Sequence, residues 1–135
     1  MSNPVNTDCE SLTPEEFEQL ITEGRRDFQG ARLCGNIHLA QRTLDGNINL
    51  SGAVVDGFLS FTAAVVNGDV DLEGIRVSGQ VNFYHAQIKG SLILTGAEIE
   101  GNLVLSNARV GGSTAICQTW VGGQLDFGYA ILKGG

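Results

Sequence analysis

Apolar and polar residues alternate along most of this chain, and the alternation is interrupted at regular intervals. A glycine returns every eleven residues with no member of the series missing. The series comprises Gly24, Gly35, Gly46, Gly57, Gly68, Gly79, Gly90, Gly101, Gly112, Gly123 and Gly134. Ten complete copies of an eleven-residue unit therefore fill residues 24–133. A fixed period of this kind indicates a repeat architecture, in which each unit is stabilised by stacking on its neighbours.

Size as well as polarity is specified within each unit. With the glycine counted as place one, the fifth place is a large apolar residue and the tenth is Leu, Val or Ile in every copy. The eighth place is Ala in seven copies, and the exceptions are Arg42, Ile75 and Thr119. We predict that the fifth-place residues form a continuous core, among them Leu50, Phe61, Leu72, Phe83, Leu94 and Leu105.

Strict alternation runs over nine residues, from the eighth place of one copy to the fifth place of the next. It predicts extended chain in which every second side chain is directed inward. The step from the fifth to the eighth place breaks the alternation and predicts a corner. The seventh place is glycine in alternate copies, at Gly30, Gly52, Gly74 and Gly96, so the true period is twenty-two residues.

Two units then close one coil with four sides, and five such coils fit the chain. The glycine that opens each unit ends a side, where it can adopt the positive φ of the third residue in a type II turn. We predict such corners at Gly46, Gly57, Gly68, Gly79, Gly90 and Gly101. Stacked coils would pair as parallel sheets about 4.8 Å apart. A flat meander of hairpins stays open as the alternative, although the corners lack the residue pairs that two-residue hairpins favour.

The residues before the repeats predict a helical cap. Thr-Pro-Glu-Glu at 13–16 has the order of a capping box with proline in the first turn, and Gly24 can end the helix. Its one apolar stripe, made of Phe17, Leu20 and Ile21, would cover the open edge of the first coil. We divide the chain into a disordered leader (1–12), a capping helix (13–23) and an all-β solenoid (24–135).

Composition is typical of one folded domain, since 42% of the 135 residues are hydrophobic and 17% are charged. The net charge is −7, but residues 35–135 carry only eight acids against five bases. Nucleic-acid binding requires basic stripes, so we expect no direct binding to nucleic acid. The chain has no apolar run of about 18 residues and no basic segment followed by an apolar stretch at its N-terminus. We therefore expect no membrane span, no secretory signal and a cytoplasmic location.

Side chains able to perform chemistry are few and scattered. His38 and His85 are two coils apart, about 10 Å along the axis, so they cannot share a metal ion. The cysteines have no spacing typical of a metal or redox motif; they are Cys9, Cys34 and Cys117.

Three carboxylates, those of Asp69, Asp71 and Glu73, fall on one side of a predicted strand. We interpret them as a solvated acidic face, because calcium loops wrap around the ion and a straight strand does not. The sequence thus predicts no catalytic residues, no cofactor and no metal site.

The repeat resembles the pentapeptide-repeat family, whose units centre on Leu or Phe with a small residue two places earlier. The likeness covers residues 24–133 and is carried by the opening at 26–33 and by the alanine-led triplets at 31–33, 53–55, 64–66, 86–88 and 97–99. It implies a right-handed, four-sided parallel β-helix. Family members repeat every five residues, whereas here five and six alternate, so the chain resembles a wider-coiled relative. The functions of individual members do not follow, because one fold hosts many roles.

The last coil is the part of the surface most typical of an interface. Trp120, Tyr129 and Ile131 fall at outward places in it, and the sequence stops where an eleventh copy opens, without a capping element. An open parallel-sheet end beside Trp and Tyr is suited to docking. These three residues are our candidate interface.

We expect a non-catalytic protein–protein interaction or scaffold module. Its partner is another protein of unknown identity, or a second copy in a homodimer through the C-terminal coil. A DNA-mimicking inhibitor or protector of a nucleic-acid enzyme is one alternative, implied by the resemblance because some acidic family members act on DNA gyrase. The mild charge of the repeats counts against it. A self-assembling structural protein is the other alternative, and a capping helix would oppose endless stacking.

Overall fold

The computed structural model describes residues 11–134, in which strands of two or three residues alternate with bends and turns. Strands in the repeats pair in parallel with the strand 22 residues further on: Val54 lies opposite Arg76, and Arg76 lies opposite Glu98. The protein is therefore a parallel β-solenoid with about 22 residues per coil. The flat meander is wrong, because hairpins would pair neighbouring strands antiparallel.

Four sheets form the sides of the column. The first contains β1 (Ser11–Leu12), β2 (Arg32–Leu33), β6 (Val54–Val55), β10 (Arg76–Val77), β14 (Glu98–Ile99) and β18 (Trp120–Val121). The second contains β3 (Ile37–His38), β7 (Leu59–Ser60), β11 (Val81–Asn82), β15 (Leu103–Val104) and β19 (Leu125–Asp126). The third contains β4 (Thr43–Asp45), β8 (Val65–Asn67), β12 (Gln87–Ile88), β16 (Arg109–Val110) and β20 (Ile131–Leu132). The fourth contains β5 (Ile48–Asn49), β9 (Val70–Asp71), β13 (Leu92–Ile93) and β17 (Thr114–Ala115).

The chain visits these four sheets in a fixed order, as β2, β3, β4 and β5 do before β6 returns to the first sheet. The first sheet therefore lies opposite the third, and the second lies opposite the fourth. This order decides which side chains share a face.

The core is a column of apolar side chains in the middle of the coils. Every buried side chain in residues 11–134 is apolar. The fifth-place residues Leu50, Phe61, Leu72, Phe83, Leu94 and Leu105 are fully buried. Phe61 and Phe83, one coil apart, stack with ring centroids at 4.7 Å and an interplanar angle of 16°. That distance matches the spacing of neighbouring strands, so the period of the coil also sets the packing of its rings.

Tight turns form the corners between the fifth and eighth places. The eighth-place N–H donates to the fifth-place carbonyl, as Ala64 does to Phe61 at 2.9 Å. The seventh-place residues all have φ between 58° and 73°; they are Gly30, Gln41, Gly52, Ala63, Gly74, His85, Gly96, Asn107, Gln118 and Tyr129. A positive φ at this position is the signature of a type II turn.

The glycines that open each unit lie at the other bends, and most of them lack the positive φ that we predicted. In residues 24–134, only Gly24, Gly35 and Gly46 of this series have it. The later members are required by space: a Cβ on Gly101 would lie 2.8 Å from the carbonyl carbon and oxygen of Gly79. The Gly101 N–H also donates to that carbonyl at 2.9 Å. Close stacking of backbones, rather than turn conformation, therefore explains the later glycines.

The predicted cap is helix α1 (Pro14–Thr22). The Thr13 N–H donates to Glu16 Oε1 at 2.8 Å, and Thr13 Oγ1 accepts from the Glu16 N–H at 3.1 Å, which completes the capping box. Phe17 is buried, with its ring centroid 4.6 Å from that of Phe28 in the first coil. With nine residues, α1 is far too short to cross a membrane, and residues 11–134 contain no other helix.

The leader boundary was wrong at its last two residues. Ser11 and Leu12 form β1, which pairs with β2 and gives the first sheet six strands, one more than the five predicted coils supply. Leu12 is buried, and its carbonyl accepts from the Cys34 N–H at 2.9 Å. The rest of the predicted leader, residues 1–10, lies outside the described residues.

Candidate interface at the C-terminal coil

The three predicted interface residues are exposed but do not lie on one side of the column. Trp120 is in β18 of the first sheet and is 56% exposed. Ile131 is in β20 of the third sheet, and Tyr129 lies at the corner just before it, 89% exposed. Tyr129 and Ile131 are neighbours, since they are two residues apart in the chain. Trp120 lies across the column from them, because the first and third sheets are opposite.

The first-sheet and third-sheet sides meet at the C-terminal end of the described column. Ile116 and Leu125 occupy inward places, yet they are 40% and 51% exposed. Their counterparts one coil earlier, Leu94 and Leu103, are buried. We call the end face the surface formed by Ile116, Trp120, Val121, Leu125, Phe127, Tyr129, Ile131 and Leu132. It is a cross-section of the apolar core with aromatic residues at its rim.

Backbone donors are also left without partners at the end face. In an inner coil the fifth-place N–H donates to the next coil, as Leu105 does to the Asp126 carbonyl at 2.7 Å. The corresponding donors in the last coil are those of Ile116 and Phe127, and no carbonyl within residues 11–134 accepts from them. An edge of this kind can pair with another chain.

Charge is almost absent around the end face. Residues 113–134 contain one acid, Asp126, and one base, Lys133. The helix at the other end carries Glu15, Glu16 and Glu18 without a basic residue in its last turn. Depletion of charge together with enrichment of aromatic residues is typical of the centre of a protein interface.

The inward residues Ile116 and Leu125 were missed by sequence reasoning because their places are buried in every inner coil. The signal that would have found them is their copy number, since no coil within residues 11–134 follows theirs and covers them. Trp120 and Tyr129 were found because they depart from the pattern, being large and aromatic at outward places.

The two histidines contact aromatic neighbours. The ring centroids of His38 and Phe58 are 4.8 Å apart, and those of His85 and Tyr84 are 4.3 Å apart, both in edge-on geometry. His38 lies in β3 of the second sheet, and His85 lies at a corner two coils later. The structure therefore does not bring the two imidazoles together.

The carboxylates of Asp69 and Asp71 bind backbone rather than each other. Asp69 Oδ1 accepts from the Ser91 N–H at 2.8 Å, and Asp71 Oδ1 accepts from the Glu73 N–H at 3.0 Å. In the described part of the chain, no three His, Cys, Asp or Glu side chains are grouped so that they could hold a metal ion. These carboxylates stabilise the bends of the solenoid.

The cysteines lie far apart along the chain. Cys34 is in the first coil and Cys117 in the last, and both are free and exposed. Cys9 lies outside the described residues.

Comparison with protein-family models, with curated proteins and with solved structures found no match for this chain. The fold and the end face are therefore the features from which a function can be inferred.

Proposed function

We propose that this protein is a non-catalytic interaction module that binds protein through its end face. The observation that carries the proposal is the exposure of Ile116 and Leu125, whose repeat places are buried in the inner coils. Covering such surface contributes about 25 cal/mol for each Å² of apolar area removed from water. Unpaired backbone donors beside it add directional hydrogen bonds.

The occupant that fits the end face best is a second copy of this chain. Residues 113–134 have one acid and one base, whereas the whole chain has a net charge of −7. Two copies therefore repel each other least where their end faces meet. At the opposite end, α1 packs on the first coil, with Phe17 against Phe28. Contact between end faces alone closes at two copies, with two-fold symmetry.

A two-fold axis across the column reverses strand direction, so edge strands of the two copies would meet antiparallel. In that arrangement the N–H groups of Ile116 and Phe127 can donate to carbonyls of the second copy. Trp120 and Tyr129 would lie at the rim, where large rings bury much area and keep a polar edge in water.

We also infer that the chain is a wider-coiled relative of the pentapeptide-repeat family. The support is a four-sided coil in which a buried Ala precedes a buried aliphatic residue by two places, as Ala53 precedes Val55 and Ala97 precedes Ile99. This relation concerns architecture, and the role rests on the surface.

The two alternative functions have less support. A DNA mimic requires a dense carboxylate array, yet Asp56 lies 2.9 Å from the Arg32 guanidinium and Glu98 lies 3.6 Å from that of Arg76. A polymer requires two open ends, and α1 occupies one of them.

Sedimentation velocity at several protein concentrations tests the proposal. We expect the wild-type chain to form a dimer, and Leu125→Asp to remain a monomer where the wild type pairs. Burying an unpaired charge costs several kcal/mol, so the dissociation constant should rise at least about 100-fold. Trp120→Ala and Ile131→Asp should shift the equilibrium in the same direction.

Tyr84→Ala is the matched control, because Tyr84 is 42% exposed in an inner coil, away from the end face. It should leave the dimer intact, and far-UV circular dichroism should show the same β-type spectrum for all variants. A wild-type chain that is monomeric at every concentration would exclude the two-fold pairing. Unchanged dimers in all three end-face variants would exclude this surface.

A further inference from the structure

Three basic side chains line one cleft on the third sheet, over β12, β16 and β20. The cleft has a volume of about 410 Å³. Its basic residues are Lys89, Arg109 and Lys133, which are three of the five bases in residues 35–135. None of the residues lining it is acidic. Such a cluster is unexpected in a chain with a net charge of −7.

The repeat geometry creates the cleft. Lys89 and Lys133 occupy the same place two coils apart, about 10 Å along the axis. The residue between them in this column is Gly111, which has no side chain, so a gap opens above it. Arg109 precedes Gly111 by two residues and is exposed on the same face of the third sheet. Three cations therefore surround one space.

The opposite face provides a natural comparison. Gly122 occupies the equivalent place on the first sheet, and a Cβ at Gly111 or Gly122 would lie 2.6 Å from the carbonyl oxygen one coil earlier. Glycine at this place is thus explained by backbone packing on both faces. The groove on the first sheet, however, is lined by Glu98 and Glu100 as well as Arg76. The two faces therefore differ in charge, and Trp120 lines the groove on the first sheet only.

The bases of the cleft are also free of partners. On the first sheet, Arg76 Nε lies 3.6 Å from Glu98 Oε1. On the third sheet, the side chains of Lys89, Arg109 and Lys133 form no ion pair or hydrogen bond with any residue in 11–134. Their like charges add across the cleft, and this arrangement favours an anion there.

We propose that this cleft is a binding site for a phosphate-type oxyanion. The anion would lie above Gly111, between the two lysine ammonium groups, with the Arg109 guanidinium beside it. Arg matches the geometry of phosphate oxygens with paired donors, and Lys adds point charges. The Ile131 side chain lines one edge of the cleft and suits an organic group attached to the phosphate. The site is on the side of the column and shares Ile131 with the end face, but its charged groups, Lys89, Arg109 and Lys133, are not part of that face.

Titration with inorganic phosphate at constant ionic strength and neutral pH tests the proposal. ¹H–¹⁵N correlation spectra recorded at each phosphate concentration are the readout. We expect saturable shifts of the amide resonances of residues 87–89, 109–111 and 131–133. Lys89→Gln and Arg109→Gln should each weaken binding about tenfold, the usual effect of removing one hydrogen bond to a charged group. Both side chains are exposed, so circular dichroism should be unchanged.

Arg76→Gln is the matched control, because it removes a paired base from the opposite face. It should leave phosphate binding unaltered. Three results would overturn the site: no saturable shift, equal weakening by Arg76→Gln, or unchanged binding in Lys89→Gln. Sedimentation of Lys89→Gln distinguishes a failure of this proposal from a failure of the proposed interface. Loss of phosphate binding while the dimer stays intact would show that the substitution affects the cleft and not the end face.

The phosphate group could come from a small molecule or from a phosphorylated protein. Titrations with free O-phosphoserine and with a short phosphoserine peptide distinguish these sources. Equal affinities support the site and indicate a small phosphate ester, whereas about tenfold tighter binding of the peptide supports the site and indicates a phosphorylated protein. Failure of both to shift the cleft resonances would refute the proposal.

Discussion

Glycine has two separate roles in this chain at the scale of single residues. At the seventh place it avoids the steric cost of a left-handed backbone conformation. Ala63 and Tyr129 nevertheless adopt that conformation, with φ of 59° and 58°. At the first place of later copies it allows two backbones to approach, as Gly101 does over Gly79. The sequence shows glycine at both places but cannot tell conformation from clearance.

Alanine substitutions in one repeat should separate these roles. Gly96 has a φ of +72°, and only one atom, 4.0 Å away, lies near the position of an added Cβ. Gly96→Ala should therefore lower the free energy of unfolding by about 1 kcal/mol through backbone strain. Gly101→Ala places its Cβ 2.8 Å from backbone of the preceding coil and should cost about 3 kcal/mol through overpacking. Urea denaturation followed by circular dichroism measures both. Equal losses would contradict the assignment of two roles.

At the scale of elements, departures from the repeat mark the contact between α1 and the first coil. Arg26 stands where most copies have an aliphatic residue, and its Nη1 donates to the Ile21 carbonyl at 2.9 Å. Arg42 stands where most copies have Ala, and its Nη2 donates to Thr22 Oγ1 at 2.8 Å. The cap is therefore bound by polar contacts at its C-terminal end as well as by apolar packing.

Phe17→Ala should show how much the cap contributes. The Phe17 ring is fully buried against Phe28, so its loss should lower the free energy of unfolding by about 3–5 kcal/mol. Glu18→Ala on the same helix should change it by less than about 0.5 kcal/mol. Chemical denaturation of the two variants makes the comparison. Similar stability for both would mean that α1 packs too loosely to protect the first coil.

At the scale of the whole molecule, the solenoid is a one-dimensional stack. Strand partners in the repeats are 22 residues apart, so each coil is held by the coils before and after it. Within residues 11–134 the last coil has a neighbour on one side only, and its Leu125 is half exposed. Local stability should fall toward that end.

Amide hydrogen exchange should report this gradient. We expect the slowest exchange in β6, β10 and β14, which have paired strands on both sides, and faster exchange in β17–β20. Raising the protein concentration should slow exchange in β17–β20 selectively if a second copy covers the end face. Uniform protection along the column at low concentration would contradict nearest-neighbour stacking.

The period made much of the architecture predictable. Alternation determines which side chain faces inward, and this property is local to a few residues, so Leu50 and Phe83 could be assigned to the core from the sequence. The capping box was predictable for the same reason, since Thr13 and Glu16 are three residues apart. The strand at Ser11–Leu12 was not, because its pairing with β2 joins residues separated by the helix.

The interface and the cleft were only partly predictable. Trp120, Tyr129 and Ile131 could be read as outward residues of the last coil, but their distribution over two opposite sheets follows from the order in which the chain visits four sides. The cleft requires Lys89, Arg109 and Lys133 to meet across three coils, which no local pattern indicates.

By itself, the sequence determined the repeat length, the inward and outward places and the helix that Thr13 caps, because each depends on spacing along the chain. The tertiary structure decided which glycines need space, which faces are opposite and which inward residues are left uncovered. Those outcomes arise from contacts between residues 22 or more apart, and such contacts exist only once the coils have stacked.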